Sequence, residues 1–290
     1  MRIFRHFEDV PAAFRGAVVA IGNFDGVHRG HRATIEETSG TGLRSTIVTF
    51  DPHPRRVLGY DVELITTLER RIELIQEIGP DELLVLEFTA ELSRREPEDF
   101  VGDILEPLGA RVVVAAETFR FGKGRQGDVP LLRRLGLEVR PVPLVEGVSS
   151  SRIRELLHAG DVVGAAGLLG RPPEVEGVVV AGDQRGGTLG FPTANIAVEP
   201  GLLVPGHGIY AGSALGHRVA ASIGVNPHYG GSERRIEAFL LDFEGDLYGQ
   251  NLLLELWQRL RDERAFASED ELVSQIGRDV EAAKAAVRPD

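Results

Sequence analysis

Two histidines in a glycine-rich turn are the residues of this chain most ready for chemistry. His28 and His31 sit in the run Gly22-Asn23-Phe24-Asp25-Gly26-Val27-His28-Arg29-Gly30-His31. Their spacing of three puts both imidazoles on one face of a first helical turn. A short apolar strand, 17–21, precedes the run and a helical stretch follows it. Gly22, Gly26 and Gly30 let the backbone approach a ligand closely. A helix N-terminus adds free N–H groups and the positive end of a dipole. Two imidazoles over such a terminus make a site for phosphate. One histidine alone would read as a cap or a core residue; the pair in this turn reads as a ligand site.

Three further segments carry polar chemistry. Thr49-Phe50-Asp51-Pro52-His53-Pro54 ends a second apolar strand. Ser149-Ser150-Ser151-Arg152-Ile153-Arg154 opens a helix. Its serines can cap that helix and present hydroxyls to phosphate, and Arg154, one turn in, can reach the same anion. An ordinary capped helix with exposed arginines would use the same residues. Between them, Phe119-Arg120-Phe121-Gly122-Lys123-Gly124-Arg125 reads by itself as a basic surface turn.

The second half holds a different pattern. Gly182, Gly186, Gly187 and Gly190 make a loop whose N–H groups could cradle phosphates, followed by Phe191-Pro192-Thr193-Ala194-Asn195-Ile196. No Gly-Lys-Ser/Thr follows, so this is not a Walker A loop. In an extended stretch Thr193 and Asn195 point to one side, where a hydroxyl and an amide suit Mg²⁺ and phosphate. From spacing alone, a polar turn beside a hairpin is the simpler reading. Glu237 alternates with Phe239, Leu241 and Phe243, neighbours that would desolvate its carboxylate. By itself it reads as a glutamate at a strand end, in water.

The elements needed to position these residues are legible. At 290 residues the chain has room for two domains. Strands at 17–21, 45–50, 82–88, 111–115 and 138–142 alternate with helices at 31–38, 68–78 and 97–108. Continuous apolar strands alternating with helices imply a parallel sheet with its ligands at the carboxyl ends of the strands. Helices at 149–157 and 161–169 lead to a linker, Gly170-Arg171-Pro172-Pro173. Short strands then follow at 175–181, 209–215, 218–223, 236–243 and 252–260 with no helix between them, an antiparallel barrel or sandwich. A terminal helix closes the chain, opened by Ser268 and Glu271 as a capping box, with Leu272, Ile276 and Val280 as its apolar stripe.

Composition limits the function classes. A net charge of −12 argues against a nucleic-acid backbone as partner. The absence of cysteine excludes disulfides, thiolate metal sites and cysteine nucleophiles. Lys123 and Lys284 are the only lysines, so basic work falls to arginine. No apolar run approaches the length of a membrane span, and the N-terminus lacks a signal peptide's apolar stretch. The expectation is a cytoplasmic protein that contacts no membrane and is a monomer or weak homo-oligomer.

H-x-G-H is the signature of the nucleotidylyltransferase superfamily. The longer string around it resembles the prokaryotic bifunctional riboflavin kinase/FAD synthetase (FMN adenylyltransferase) family. The Thr49–Pro54, Phe119–Arg125 and Ser149–Arg154 segments agree in the family's order. G-F-P-T-A-N-I resembles the riboflavin kinase signature, joined by Ile223-Gly224-Val225-Asn226-Pro227, by 237–249 (EAFLLDFEGDLYG) and by 260–266 (LRDERAF). The resemblance implies a Rossmann-like nucleotidylyltransferase α/β domain with a parallel sheet over 1–170. Over 171–290 it implies a small antiparallel β-barrel of riboflavin kinase type with a terminal helix. It implies phosphorylation of riboflavin by ATP to FMN, then adenylylation of FMN by ATP to FAD with release of pyrophosphate, both with Mg²⁺. At the adenylyl site it implies His28 and His31 as catalytic residues. ATP and FMN would meet Gly22, Asn23, Phe24, Gly26, Gly30, Asp51, His53, Phe119, Phe121, Gly122, Lys123, Ser149, Ser150, Ser151 and Arg154. At the kinase site it implies Glu237 as general base, Thr193 and Asn195 on the metal–nucleotide, and Gly182, Gly190, Pro192, Arg264 and Phe266 around ATP and flavin. Three positions depart from the family pattern. Ser151 stands where threonine is usual and keeps the hydroxyl. Thr118 stands where Asp or Asn is usual, removing a contact to flavin. His228 stands where threonine commonly follows Asn-Pro. Two other readings remain: a chain in which only the kinase site is active, and a non-catalytic flavin- or nucleotide-binding regulatory protein.

Overall fold

The computed structural model describes residues 1–11, 16–182, 190–225 and 234–290. Within them the chain forms two compact units, 1–63 with 68–148, and 64–67 with 149–290.

The first unit is built on six parallel strands: β1 (Arg2–Phe4), β2 (Ala17–Ile21), β3 (Arg44–Asp51), β4 (Glu82–Glu87), β5 (Ala110–Ala116) and β6 (Glu138–Val142). Their order is β1-β4-β3-β2-β5-β6, and every pairing is parallel. Alternate residues feed two cores. Val18, Ala20, Ile47 and Leu83 face one side with Ile35, Ile72 and Ile75; Val19, Ile21, Val48 and Leu84 face the other with Phe100, Leu105 and Leu132. Covered on both faces, β2 is buried along its whole length. Burying each large apolar side chain contributes ~1.5–3 kcal/mol. The chain runs from β2 outward to β3 on one side and later resumes at β5 on the other. The carboxyl ends of β2 and β5 therefore flank a switch point, where open α/β sheets bind ligands.

The helices are α1 (Arg29–Glu36), α2 (Pro54–Val57), α3 (Leu68–Ile78), α4 (Pro97–Phe100), α5 (Val129–Arg134), α6 (Ser150–His158) and α7 (Val162–Leu169). Several bounds differ from expectation. α1 starts two residues early because His28 caps it. The helix expected over 97–108 is α4 followed by a wider π-type turn, Val101–Leu105. Pro107 has no N–H and its ring clashes with the preceding turn, so a regular helix cannot run on. β1, α2 and α5 had no strong sequence signal, being three, four and six residues long.

The second unit is a closed barrel of β7 (Glu174–Val180), β8 (Ala194–Ala197), β9 (Gly208–Ala214), β10 (His217–Val225), β11 (Arg234–Leu240) and β12 (Asn251–Arg261), in the order β10-β11-β8-β7-β12-β9. All pairs are antiparallel, and closure leaves no free edge, which decides barrel over sandwich. β8 is a strand where the sequence suggested only an extended stretch. β11 ends at Leu240, short of the expected 243, because Asp242 takes a left-handed φ of 55° and turns the chain. The terminal helix α8 (Glu269–Ala285) is capped by Ser268, whose hydroxyl accepts from the Glu271 N–H at 3.2 Å. The Glu271 carboxylate reaches back to the Ala267 N–H, one residue beyond the expected cap N–H. Among the described residues no helix is long and apolar enough to cross a membrane.

Candidate active sites

In the first unit the H-x-G-H turn lies at the carboxyl end of β2. His28 is the N-cap of α1 rather than part of it, and its Nδ1 accepts the His31 N–H at 3.2 Å. That bond leaves Nε2 to carry the proton of the neutral ring. The two imidazoles stack with centroids 3.5 Å apart and an interplanar angle of 15°. His31 also meets the edge of Phe24 at 5.3 Å. Burial, then the neighbouring His28, then Arg71 hold the His31 pKa well below 6.5, so its ring is neutral at pH 7. Its buried Nδ1 has no hydrogen-bond partner among the described residues. An unpaired ring nitrogen beside a helix start suits a phosphate oxygen.

The turn is tightly built. Phe24 and Val27 take left-handed φ of 49° and 38° and are almost fully buried. For a β-branched residue this is a strained conformation, kept by the packing around it. A Cβ on Gly30 would lie 3.3 Å from the His28 ring, so glycine there makes room for the stack. Gly22 clears the Phe24 ring in the same way. Beneath the turn lies Arg71 of α3, 2% exposed. Its NH1 donates to the Asn23 carbonyl at 2.7 Å, and the Thr49 hydroxyl donates to that carbonyl at 3.1 Å. Its NH2 is 3.9 Å from Asp51. Burial lowers the Arg71 pKa from its usual range, against the pull of Asp25, Asp51 and Glu69. Arg71, Asp25 and Thr49 were not singled out from sequence. The inner-face spacing of α3 carried a signal, since Arg71 falls beside Ile72, Leu74 and Ile75.

His53 is 4% exposed and caps α2, its Nδ1 accepting the Arg55 N–H at 3.2 Å. The loop after β5 holds Phe119 and Phe121 stacked at 5.6 Å. Phe121 and Gly127 exchange backbone bonds of 3.1 and 2.9 Å that close the loop. Gly122 has φ 69°, and a Cβ there would lie 2.8 Å from Pro97 Cα, so this position requires glycine. Lys123 is paired with Glu96 at 2.6 Å. Thr118 lies on an exposed turn of the same loop. Ser149 caps α6, accepting the Arg152 N–H at 3.1 Å. Ser149, Ser150, Ser151 and Arg154 fall in the second unit, while both histidines fall in the first.

In the second unit Thr193, Asn195 and Glu237 come together. Asn195 and Glu237 are directly opposed across β8 and β11. The Thr193 hydroxyl donates to Glu237 Oε2 at 3.2 Å. Glu237 and Phe239 share a face, as alternation required, but the carboxylate is not in apolar surroundings. Arg235 Nε stands 2.8 Å from Glu237 Oε1 and 2.9 Å from Asn195 Oδ1. That ion pair corrects the expectation of a carboxylate desolvated by aromatic neighbours alone. Gly182 packs on the Asn195 amide, where a Cβ would collide. The rest of the glycine loop, 183–189, lies outside the described residues, as do Asn226, Pro227 and His228. Gly190 is exposed with φ 83°.

Two pockets meet at Thr193. One, of about 380 Å³, is lined by Phe191, Phe239, Phe266, Leu272 and Ile276, with Glu237, Arg261, Glu263, Arg264 and Asp279 as charged groups. Leu272 and Ile276, expected as the buried stripe of α8, are pocket wall instead. Asp279 of α8 grips Arg261 of β12 through bonds of 2.9 and 2.6 Å. Arg264 lies 4.9 Å over the Phe266 ring and donates to Gln275 at 2.9 Å. The other pocket, about 160 Å³, is lined by Pro192, Phe243, Leu247 and Tyr248. Thr193 lines both.

Two family models match the chain: riboflavin kinase over residues 169–287 and FAD synthetase over residues 10–153. The chain is 35% identical over 300 residues to the bifunctional riboflavin kinase/FMN adenylyltransferase of Escherichia coli K12, covering 96% of each. It is 35% identical over 286 residues to the protein of that name from Bacillus subtilis 168, covering 91% of this chain and 90% of the other. A solved structure described as a macrolide-efflux protein from Streptococcus pneumoniae superposes with a TM-score of 0.88 at 29% identity, covering 97% of this chain and 98% of that one.

Proposed function

Because the chain belongs to the bifunctional riboflavin kinase/FMN adenylyltransferase family, we propose that its two polar centres are the two active sites of that activity. It is an ATP-dependent transferase that phosphorylates riboflavin to FMN and adenylylates FMN to FAD. Residues 1–170 carry adenylyl transfer and 171–290 the kinase. The reading includes a cytoplasmic protein, monomer or weak homo-oligomer, that needs no nucleic acid.

The observation that carries the kinase assignment is the contact of Thr193 with Glu237 where two pockets meet. The larger pocket, walled by three phenylalanines, suits the isoalloxazine ring; the smaller, with Phe243 and Tyr248, suits adenine. The ATP phosphates then reach Thr193. Glu237 accepts the proton of the riboflavin 5′-hydroxyl as that oxygen attacks the γ-phosphorus and ADP leaves. The Thr193 hydroxyl and the Asn195 amide oxygen are hard oxygen donors of the kind Mg²⁺ takes, so these residues fit the ion. Bound there, Mg²⁺ would supply charge stabilisation for the transferring phosphoryl group.

At the other site an oxygen of the FMN phosphate attacks the α-phosphorus of ATP and pyrophosphate leaves. That phosphate is already ionised at pH 7, so positioning and charge stabilisation are what the site must provide. His28 and the neutral His31 donate to oxygens of the α-phosphate and the leaving group. Arg71 holds the turn that carries them and adds positive potential.

The test is a chromatographic time course with riboflavin, ATP and Mg²⁺. FMN followed by FAD is the expected result. FMN that accumulates without FAD would leave the kinase alone active and make Thr118 the first residue to restore. A folded protein that makes neither product would overturn the reading.

A further inference from the structure

Two oxygens at the kinase centre share one donor. Arg235 Nε reaches Glu237 Oε1 at 2.8 Å and Asn195 Oδ1 at 2.9 Å. The register brings this about. Arg235 lies two residues before Glu237 on β11, so both side chains leave the same face, and Asn195 stands opposite Glu237 on β8. The guanidinium is always charged. It therefore sits as a cation among oxygen donors that would otherwise face a metal. Asn195 Oδ1 cannot give the same lone pair to an N–H and to a divalent ion. Such ions demand near-ideal oxygen geometry.

We propose that Arg235 is a positioning residue that fills the cation place of the kinase site before nucleotide arrives. It holds Glu237 and Asn195 in register, and it yields Asn195 Oδ1 when the metal–nucleotide enters. Glu237 keeps a positive partner in both states. The divalent ion is thus in competition with a resident guanidinium. This rests on the reading of Asn195 as a metal-facing residue.

The test is a titration of Mn²⁺ into the full-length chain with saturating ADP, following free Mn²⁺ by its electron paramagnetic resonance signal. Wild type is compared with Arg235→Met and Asn195→Ala. Any Mn²⁺ held at the adenylyl site is common to all three and cancels. Arg235→Met should lower the half-saturating Mn²⁺ about tenfold, the change expected when a charge-assisted hydrogen bond no longer competes. Arg235→Lys, which keeps the charge but loses the Nε donor, should shift it in the same direction by less. Quenching of riboflavin fluorescence on binding reports that each barrel is folded. Unchanged or weaker Mn²⁺ binding in both Arg235 variants, with Asn195→Ala still weakening it, would overturn the competition alone. If Asn195→Ala leaves Mn²⁺ binding untouched, the metal reading of Asn195 fails with it.

Discussion

Replacing Arg71 by Met should cripple FAD formation and spare FMN formation. The guanidinium is buried under the histidine turn and donates to the Asn23 carbonyl at 2.7 Å. A hydrogen bond from a charged donor contributes about 1.5–3 kcal/mol. Each ~1.4 kcal/mol is a factor of ten, so the full loss is roughly 10- to 150-fold in kcat/KM for FMN adenylylation. The Thr49 hydroxyl stays on the same carbonyl at 3.1 Å, which holds part of the turn's geometry. The lower part of that range, about 10- to 30-fold, is therefore expected. A second effect has a definite sign. Arg71 is one of the causes that hold the His31 pKa down, after burial and His28. Its removal should raise that pKa and move the acid limb of the adenylylation pH profile to higher pH. The assay is conversion of FMN to FAD across the acid side of neutrality. Riboflavin phosphorylation by the same sample is the control, because Arg71 belongs to the first unit and Glu237 to the second. Methionine fills much of the arginine stem's volume, which limits the packing loss. Undiminished FAD formation would refute the positioning role. An equal fall in both activities would make Arg71 a folding residue and refute it as well.

Other outcomes follow from the same contacts. Glu237→Gln should cut FMN formation by about 10²- to 10⁴-fold, the usual range for a general base, while riboflavin still quenches on binding. Loss of binding and turnover together would make Glu237 structural. Gly122→Ala should depress FAD formation without touching the kinase, because the new methyl meets the Pro97 backbone at 2.8 Å and the left-handed φ disfavours it. A wild-type rate there would show that the loop has no part in the reaction. His31 also links stability to pH. Its folded pKa lies below 6.5, so the unfolded chain binds the proton first as pH falls. The stability it contributes is present above about pH 6.5 and is lost below it. Thermal midpoints of wild type and His31→Asn should therefore diverge below that pH, with wild type falling faster; parallel curves would contradict this.

Much of the architecture could be read from periodicity, because buried parallel strands are continuous apolar runs and the barrel strands are separated by glycine turns. The histidine turn was legible because its chemistry is local: a strand end, glycines and a helix start adjacent in sequence. Arg71 and Arg235 were harder. Each is a common surface residue type, and each gains its role only when the fold brings a distant carbonyl or a neighbouring strand to it. The Asn23 carbonyl comes from 48 residues away in sequence, and Asn195 from 40. Glu237 shows the same limit. It shares a strand face with Phe239, but the strand ends at Leu240, so Leu241 and Phe243 fall outside that alternation, and its electrostatic partner depends on barrel register. Leu272 and Ile276 carry the pattern of a core stripe, and pattern alone does not distinguish a wall of packed side chains from a wall facing a pocket.

Thr193 lines both pockets of the barrel. Each pocket can fill without displacing the occupant of the other, and both substrates then meet at one point. Such a site has no use for a phosphorylated enzyme that waits between two visits. Double-reciprocal plots of the kinase reaction should intersect rather than run parallel. An ADP-bound chain should still accept riboflavin, forming a dead-end ternary complex. Two pockets that share Thr193 thus fix the kinetic pattern of the transfer as well as its place.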